Sequence, residues 1–158
     1  MNNKKEKNIT NTPLKLPKEQ VDLVMDLYAT GKINEAIEAI KSLNEDYPNV
    51  PLLFNLLGAC YNQLGQFGAA AQFFESAFTI KPDYAEAYMN HGTALSESGD
   101  LELAVASFKK AIDLLPNYSE AHNKLGVTFL NLNQYDDAIE HLEWAVAYKY
   151  DYFEAHNN

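Results

Sequence analysis

The chain has 158 residues, of which 47% are hydrophobic and 22% are charged, so it contains enough apolar material for one globular domain with a core. Its formal charge is −10 and all twelve basic residues are lysine, which argues against binding to duplex nucleic acid or to an anionic membrane surface. The single cysteine, Cys60, excludes an internal disulfide and a multi-cysteine metal site.

Residues 1–16 differ from the rest of the chain in charge. They carry four lysines and one glutamate, whereas the remaining residues are strongly acidic. The stretch is polar and has neither the apolar region nor the small-residue cleavage site of a secretory signal. No run of 18 apolar residues follows it, so a membrane span is not expected. We interpret residues 1–16 as a flexible basic lead and expect a cytoplasmic protein that binds neither membranes nor nucleic acid.

A period of 34 residues organises the chain after this lead. Pro48, Pro82 and Pro116 are spaced by 34 residues. The same spacing separates the members of three further sets: Gly31, Gly65 and Gly99; Gly58, Gly92 and Gly126; and Ala36, Ala70, Ala104 and Ala138. The agreement among these columns predicts four repeats, at 17–50, 51–84, 85–118 and 119–152, with residues 153–158 beginning a truncated fifth.

Each repeat contains two amphipathic stretches with helical periodicity, separated by a short turn. In the third repeat these stretches span 85–98 and 101–114, and a helix is predicted over each range. Gly99 lies at the turn, where a left-handed backbone is favoured, and Asn133 takes the corresponding place in the fourth repeat. We expect the small residue Gly92 to let the two helices of its repeat approach closely. No stretch has the pattern of a strand, so the predicted fold class is all-α.

Two further patterns predict where helices end and begin. The proline of each of the first three repeats stops the second helix, because proline lacks an amide N–H and clashes with the preceding turn. Tyr150 replaces this proline in the fourth repeat. Three pairs have the spacing of a capping box, namely Asp83 with Glu86, Asn117 with Glu120, and Asp151 with Glu154. We therefore expect the Asp or Asn side chain to cap the next helix.

These units resemble the tetratricopeptide repeat (TPR), a 34-residue helix–turn–helix motif. The second repeat carries the motif most fully, in Phe54, Leu57, Gly58, Tyr61, Gly65, Phe67, Ala70, Phe74, Ala77 and Pro82. The first repeat departs from it most, since Val24 replaces the helix glycine, as is typical of a terminal cap. The resemblance covers residues 17–158 and implies a right-handed α-solenoid of about four units. The repeat region is also loosely similar to that of bacterial TPR-transferases and O-linked N-acetylglucosamine transferases.

The residue pattern contains no catalytic constellation. His91, His122, His141 and His156 form no HExxH motif, and three of them lie where the repeat needs a bulky packing side chain. Cys60 is expected to be a small buried hydrophobe, and the glycines are too widely spaced for a phosphate-binding loop. We therefore predict that the chain is not an enzyme and has no catalytic residues, cofactor or metal.

The resemblance implies that a polypeptide binds the concave face of the solenoid, which is lined by the first helix of each repeat. Carrying the family's positions onto this chain gives the candidate groove residues Asn55, Asn62, Glu86, Met89, Asn90, Thr93, Glu97, Asn123, Lys124, Val127 and Asn131. Asparagine is frequent among them, and its amide can both donate to and accept from a peptide main chain. The alternative is that these are ordinary exposed polar residues repeated by the period.

Two types of ligand are known for the family that these repeats resemble. A clamp for the C-terminal carboxylate of chaperones needs lysine, asparagine and arginine, but the chain has no arginine, and its clamp positions hold Val21 and Met25, or Asn55 and Ala59. We therefore exclude a chaperone carboxylate as ligand. An asparagine ladder like that of the O-linked N-acetylglucosamine transferases is irregular here, because Asn90 matches the ladder position while Asn123 lies one place earlier.

The predicted function is a protein–protein interaction module that binds a polypeptide segment in the concave groove. An alternative is the N-terminal substrate-recruiting arm of a larger enzyme, glycosyltransferase-like or oxygenase-like, and a third is a purely architectural segment. The second helix of repeat four carries Ile139, Leu142 and Trp144, for which no following helix is available. We therefore expect an exposed apolar patch there, and either a natural chain that continues past Asn158 or end-to-end self-association through the C-terminal helices.

Overall fold

The computed structural model describes residues 16–157, and it describes side chains for residues 16–149. Most of the predicted lead, residues 1–15, therefore lies outside the described residues. The chain forms eight helices in that range, which are α1 (Lys18–Ala29), α2 (Ile33–Asp46), α3 (Pro51–Gln63), α4 (Phe67–Ile80), α5 (Ala85–Ser98), α6 (Leu101–Leu114), α7 (Ser119–Asn131) and α8 (Tyr135–Asn157). No strand occurs between residues 16 and 157, and the all-α prediction is confirmed.

The helices are arranged as four consecutive hairpins. Within a repeat the first helix packs on the second, as in α3 with α4, and the second helix packs on the first helix of the next repeat, as in α4 with α5. Helices α5 and α6 have the bounds predicted from the sequence. The alanine column at Ala36, Ala70, Ala104 and Ala138 is fully buried, which places the core along the line where paired helices meet.

Glycine in the first helix allows the hairpins of the second, third and fourth repeats to close tightly. A Cβ atom added at Gly92 would lie 2.8 Å from the ring of Phe108, which is on the paired helix and fully buried. At Gly58 the added atom would lie 2.6 Å from the ring of Phe74. Since real Cβ contacts do not reach these distances, the predicted close approach at Gly92 is confirmed.

The turns inside the repeats have the predicted left-handed backbone. Gly99 has a φ of 92°, and Asn133, the corresponding residue of the fourth repeat, has a φ of 58°. Asparagine tolerates this region because its short polar side chain can bond locally.

The predicted capping boxes are wrong. Helices α5 and α7 begin one residue later than a cap at Asp83 or Asn117 requires, so Tyr84 and Tyr118 are the N-cap residues, and neither cap has a side-chain hydrogen bond. The Asp83 and Asn117 carbonyls instead accept hydrogen bonds from the first amide N–H of each helix, at 3.1 and 2.9 Å. A tight backbone turn between the repeats therefore takes the place of side-chain capping.

Helix α8 continues through the boundary that the period places between residues 152 and 153. It runs without a break from Tyr135 to Asn157, whereas α2, α4 and α6 each end two residues before a proline. Tyr150 stands where that proline would be, and tyrosine does not interrupt a helix. The fourth repeat thus ends in a helix of 23 residues.

Candidate functional site

The first helices of successive repeats lie side by side on one face of the solenoid. Helix α3 contacts α5, and α5 contacts α7, in addition to their contacts with the second helices. We call this surface the concave face, defined by the exposed side chains of α3, α5 and α7. The candidate groove residues predicted from the sequence all belong to these three helices.

Five of the candidate residues line one cleft of about 250 Å³ between α5 and α7. The lining residues are Thr93, Ser96 and Glu97 from α5, Lys124, Val127, Thr128 and Asn131 from α7, and Phe108 from α6 at the base. The two helices contribute successive turns, because residues three or four apart lie on the same helix face. We refer to this feature as the central cleft.

The central cleft offers several kinds of contact. Glu97 and Lys124 supply opposite charges, and among the described residues neither of them takes part in an ion pair. Asn131 is exposed and supplies an amide, while Val127 presents an exposed apolar surface. The Thr93 hydroxyl donates to the Met89 carbonyl at 3.1 Å and so is partly occupied within its own helix. The cleft can therefore accept polar main-chain groups and a small apolar side chain.

Asn55 and Met89 do not present their side chains on the concave surface. Asn55 is 3% exposed and Met89 is 5% exposed. Both occupy the fifth place of their first helix, and the first helix of the next repeat covers that place. Asn123 occupies the same place in the fourth repeat, where the described residues include no further first helix to cover it, and it is exposed. The expectation that Asn55 and Met89 project into an open groove is corrected by this packing.

The buried Asn55 side chain joins two repeats through hydrogen bonds. Its Nδ2 donates to Oε1 of Glu86 at 3.0 Å, and its Oδ1 accepts from Nδ2 of Asn90 at 3.1 Å. Glu86 and Asn90 lie one turn apart on α5, so a single amide fixes both side chains. This places Asn55, Glu86 and Asn90 together, with Glu86 exposed at the edge of the concave face and Asn90 half-buried.

The two remaining candidates lie apart from the central cleft. Asn62 is half-buried, and its Oδ1 is buried without a hydrogen-bond partner. Asn123 lines a separate cleft of about 520 Å³ at the end of the solenoid, between α7 and α8. We call it the terminal slot, and its lining residues are Ser119, Glu120, Asn123, Ala145, Val146 and Lys149.

Two tyrosines beside the concave face were not singled out from the sequence. Partial burial, with a smaller contribution from the negative charge of Glu86, raises the pKa of Tyr84 to about 12. Partial burial also raises the pKa of Tyr118 to about 12, and the charges of Glu120 and Glu86 add to the effect. Both hydroxyls therefore remain protonated donors at neutral pH. Their separation of 34 residues is the signal by which the sequence could have identified them.

The described histidines pack between helices. His91 Nδ1 lies 2.8 Å from Oγ of Ser107, and burial lowers the pKa of His91. His122 Nε2 lies 3.0 Å from the Pro116 carbonyl, which can only accept, so Nε2 carries the proton. In the neutral form of the His122 ring, Nδ1 is then the acceptor for Nδ1–H of His141, 3.0 Å away. His156 lies outside the residues whose side chains are described.

The described residues contain neither a metal-binding cluster nor a helix that could span a membrane. No three histidine, cysteine, aspartate or glutamate side chains come together there as a metal-binding group. None of the helices described above combines the length and apolar character needed to cross a bilayer.

Family comparison agrees with the repeat architecture. A family model described as "TPR repeat" matches residues 92–133, and another described as "Tetratricopeptide repeat" matches residues 21–85 and 123–158. The chain belongs to the tetratricopeptide repeat family. Repeats of this family form protein–protein interaction modules, so the residue groups described above are candidate contacts for another polypeptide.

Solved structures with the same fold include MamA and a TPR domain of RPAP3. "Crystal structure of MamA" aligns with a TM-score of 0.78 and 20% identity over 85% of this chain and 79% of that chain. "MamA RS-1 ArsTM double mutant" aligns with a TM-score of 0.75 and 22% identity, over 84% and 74% respectively. "First TPR of Spaghetti (RPAP3) bound to HSP90 peptide SRMEEVD" aligns with a TM-score of 0.69 and 25% identity, over 73% and 91%. The fold similarity thus extends over most of each chain.

Proposed function

We propose that this TPR module binds a polypeptide segment in the central cleft of its concave face. The observation that carries the proposal is the convergence of Glu97, Lys124 and Asn131 from two successive first helices on one cleft. A segment lying across both helices would contact side chains of two repeats at once. The fold itself would then hold the binding residues at a constant spacing.

The chemistry of the cleft favours an extended segment with mixed side chains. The Asn131 amide can donate to a main-chain carbonyl and accept from a main-chain N–H. Lys124 and Glu97 are free to pair with charges of either sign on the ligand. Val127 offers apolar contact, which disfavours a ligand made only of charged residues.

A chaperone C-terminal carboxylate is a poor fit to this chain, although the aligned RPAP3 domain is bound to an HSP90 peptide. The chain has no arginine to hold a carboxylate with two parallel hydrogen bonds. In addition, Asn55, which stands at one potential clamp position, is buried and already bonded to Glu86 and Asn90. The proposed ligand is therefore an internal polypeptide segment rather than an acidic C-terminus.

A peptide selection experiment tests the proposal. Random peptides displayed on phage are selected against the full chain, and one selected peptide is labelled for fluorescence anisotropy. The double variant Lys124→Ala/Asn131→Ala should weaken its binding by about tenfold or more, because each substitution removes one or two hydrogen bonds. Both side chains lie at the surface of α7, so the free energy of unfolding should change by less than about 0.5 kcal/mol.

The matched control is Lys110→Ala/Gln72→Ala, which removes the same kinds of side chain from exposed positions on second helices. It should leave the peptide's affinity unchanged. The proposal would be contradicted by a peptide that binds Lys124→Ala/Asn131→Ala with wild-type affinity but binds the control variant more weakly. Such a result would place the binding surface on the opposite face.

The proposal also covers enzymatic activity, location and self-association. We propose a non-enzymatic scaffold that acts in the cytoplasm. The described side chains form no metal cluster, and the Ser107 hydroxyl that meets His91 is buried and donates to the Leu103 carbonyl. The alternative of a substrate-recruiting arm is less favoured, since the central cleft accounts for a binding role without a further domain. We also propose end-to-end self-association of the chain through α8.

A further inference from the structure

The two ends of the described solenoid expose apolar residues at positions that are covered in the middle. Val146 on α8 is 70% exposed and Leu23 on α1 is 54% exposed. The residues equivalent to Val146 in the second and third repeats, Phe78 and Ile112, are half-buried. The residues equivalent to Leu23 in the later repeats are buried in two cases, Leu57 and Leu125, and half-buried in the third, His91. Ile139, 54% exposed, is likewise equivalent to buried Ile37 and half-buried Val105.

Inside the solenoid these two sets of positions contact each other. Phe78 on α4 meets His91 on α5 with ring centroids 5.3 Å apart, and it also stacks on Tyr88 at 4.2 Å. Ile112 on α6 packs in the same hydrophobic cluster as Leu125 on α7. Val146 and Leu23 are the residues that would form the next such pair, but they stand at opposite ends of one chain.

We propose that α1 of a second copy enters the terminal slot and stacks on α8 in the register that α5 adopts on α4. Val146 would then contact Leu23 of the second copy. The assembly is head-to-tail, so each copy uses two different surfaces and the chain of copies does not close on itself. This inference rests on the proposed self-association and specifies its two faces.

The polar residues of the slot fit the same occupant. Asn55 bonds to residues 31 and 35 positions further along, Glu86 and Asn90, on the first helix that covers it. In the proposed register the exposed Asn123 would meet Lys18 and Asp22 of the second copy, which hold the corresponding positions on α1. The Asn123 oxygen can accept from the lysine and its amide can donate to the aspartate, so both of its hydrogen-bonding groups would be satisfied.

Sedimentation velocity of complementary variants tests this register. The wild-type chain should show a weight-average mass that keeps rising with concentration, from the micromolar to the near-millimolar range, beyond twice the 17.8 kDa monomer. Val146→Glu and Leu23→Glu should each weaken this association by about tenfold or more, because each places a charge in the apolar contact. An equimolar mixture of the two variants should form dimers and nothing larger, since one intact slot and one intact α1 face remain.

Leu103→Glu is the matched control. Leu103 is 60% exposed on α6, at a position that is also exposed and occupied by charged residues in the first and fourth repeats, as Glu35 and Asp137. The variant adds the same charge and should associate as the wild type does, and circular dichroism should show unchanged helicity in all three variants.

Two results would overturn the inference and can be told apart. A wild-type chain that stays monomeric throughout the concentration range removes both the register and the proposed self-association. A Leu23→Glu variant that associates normally while Val146→Glu does not would show that α8 pairs with another α8, so self-association would stand and the head-to-tail register would fail. Neither result bears on peptide binding in the central cleft, which is measured separately.

Discussion

Asn55 joins two repeats through hydrogen bonds instead of facing an open groove, so its substitution should lower the free energy of unfolding. Its bond to the Asn90 amide is neutral, worth about 0.5–1.5 kcal/mol, and its bond to the Glu86 carboxylate is charge-assisted, worth about 1.5–3 kcal/mol. Because exposed Glu86 can regain water, we expect Asn55→Ala to lower the free energy of unfolding by about 2 kcal/mol.

Asn55→Asp is the sharper perturbation, since it keeps the shape and replaces the donor with an anion. The new carboxylate would face Glu86 across a contact of 3.0 Å in a buried position, so at pH 7 the loss should exceed that of Asn55→Ala. Burial and the like charge raise the folded-state pKa of the new aspartate above its unfolded value of about 4. The protonated form is thus favoured by folding, and the penalty should shrink as the pH falls from 7 towards 4.

Urea denaturation followed by far-UV circular dichroism measures both effects. Asn123→Ala is the control, because Asn123 holds the same place in its repeat but is exposed, and it should change stability by less than about 0.5 kcal/mol. The reasoning is refuted if Asn55→Ala is as stable as the wild type, or if the Asn55→Asp deficit is the same at pH 7 and at pH 4.

The remaining predictions concern packing and pH. Gly92→Ala should destabilise the chain by about 1–3 kcal/mol, because the new methyl group would press on the Phe108 ring, and the loss should be smaller in a Phe108→Leu background. Thermal unfolding of the wild type, the two single variants and the double variant measures both losses. Burial lowers the pKa of His91, so folding favours the neutral imidazole, and the stability it contributes is present above about pH 6.5 and lost as the pH falls below that value. The free energy of unfolding should therefore drop between pH 7 and pH 5, and His91→Gln should flatten that drop; an equally steep curve in the variant would contradict this assignment.

Much of the fold was predictable because the residues repeated every 34 positions each determine the backbone conformation at their own position. A proline stops a helix, and a glycine or asparagine favours a left-handed turn, whatever the neighbouring repeat contains. The bounds of α5 and α6 and the turn at Asn133 were predictable for this reason. The capping boxes were not, because the choice between Asp83 and Tyr84 as N-cap depends on how tightly the backbone turns between repeats.

The candidate site was less predictable because contacts between repeats decide which of its side chains are buried and which are exposed. The fifth place of a first helix is covered by the following first helix, through partners offset from the period by −3 and +1 residues, as Glu86 and Asn90 are from Asn55. The sequence pattern along one helix does not show that offset. In addition, an asparagine amide can form hydrogen bonds either to the next repeat or to a bound peptide. The sixth, ninth and thirteenth places remain open between α5 and α7, where Lys124, Val127 and Asn131 lie. In α3 the fifth place therefore joins one repeat to the next, whereas in α7 the sixth, ninth and thirteenth places line the central cleft.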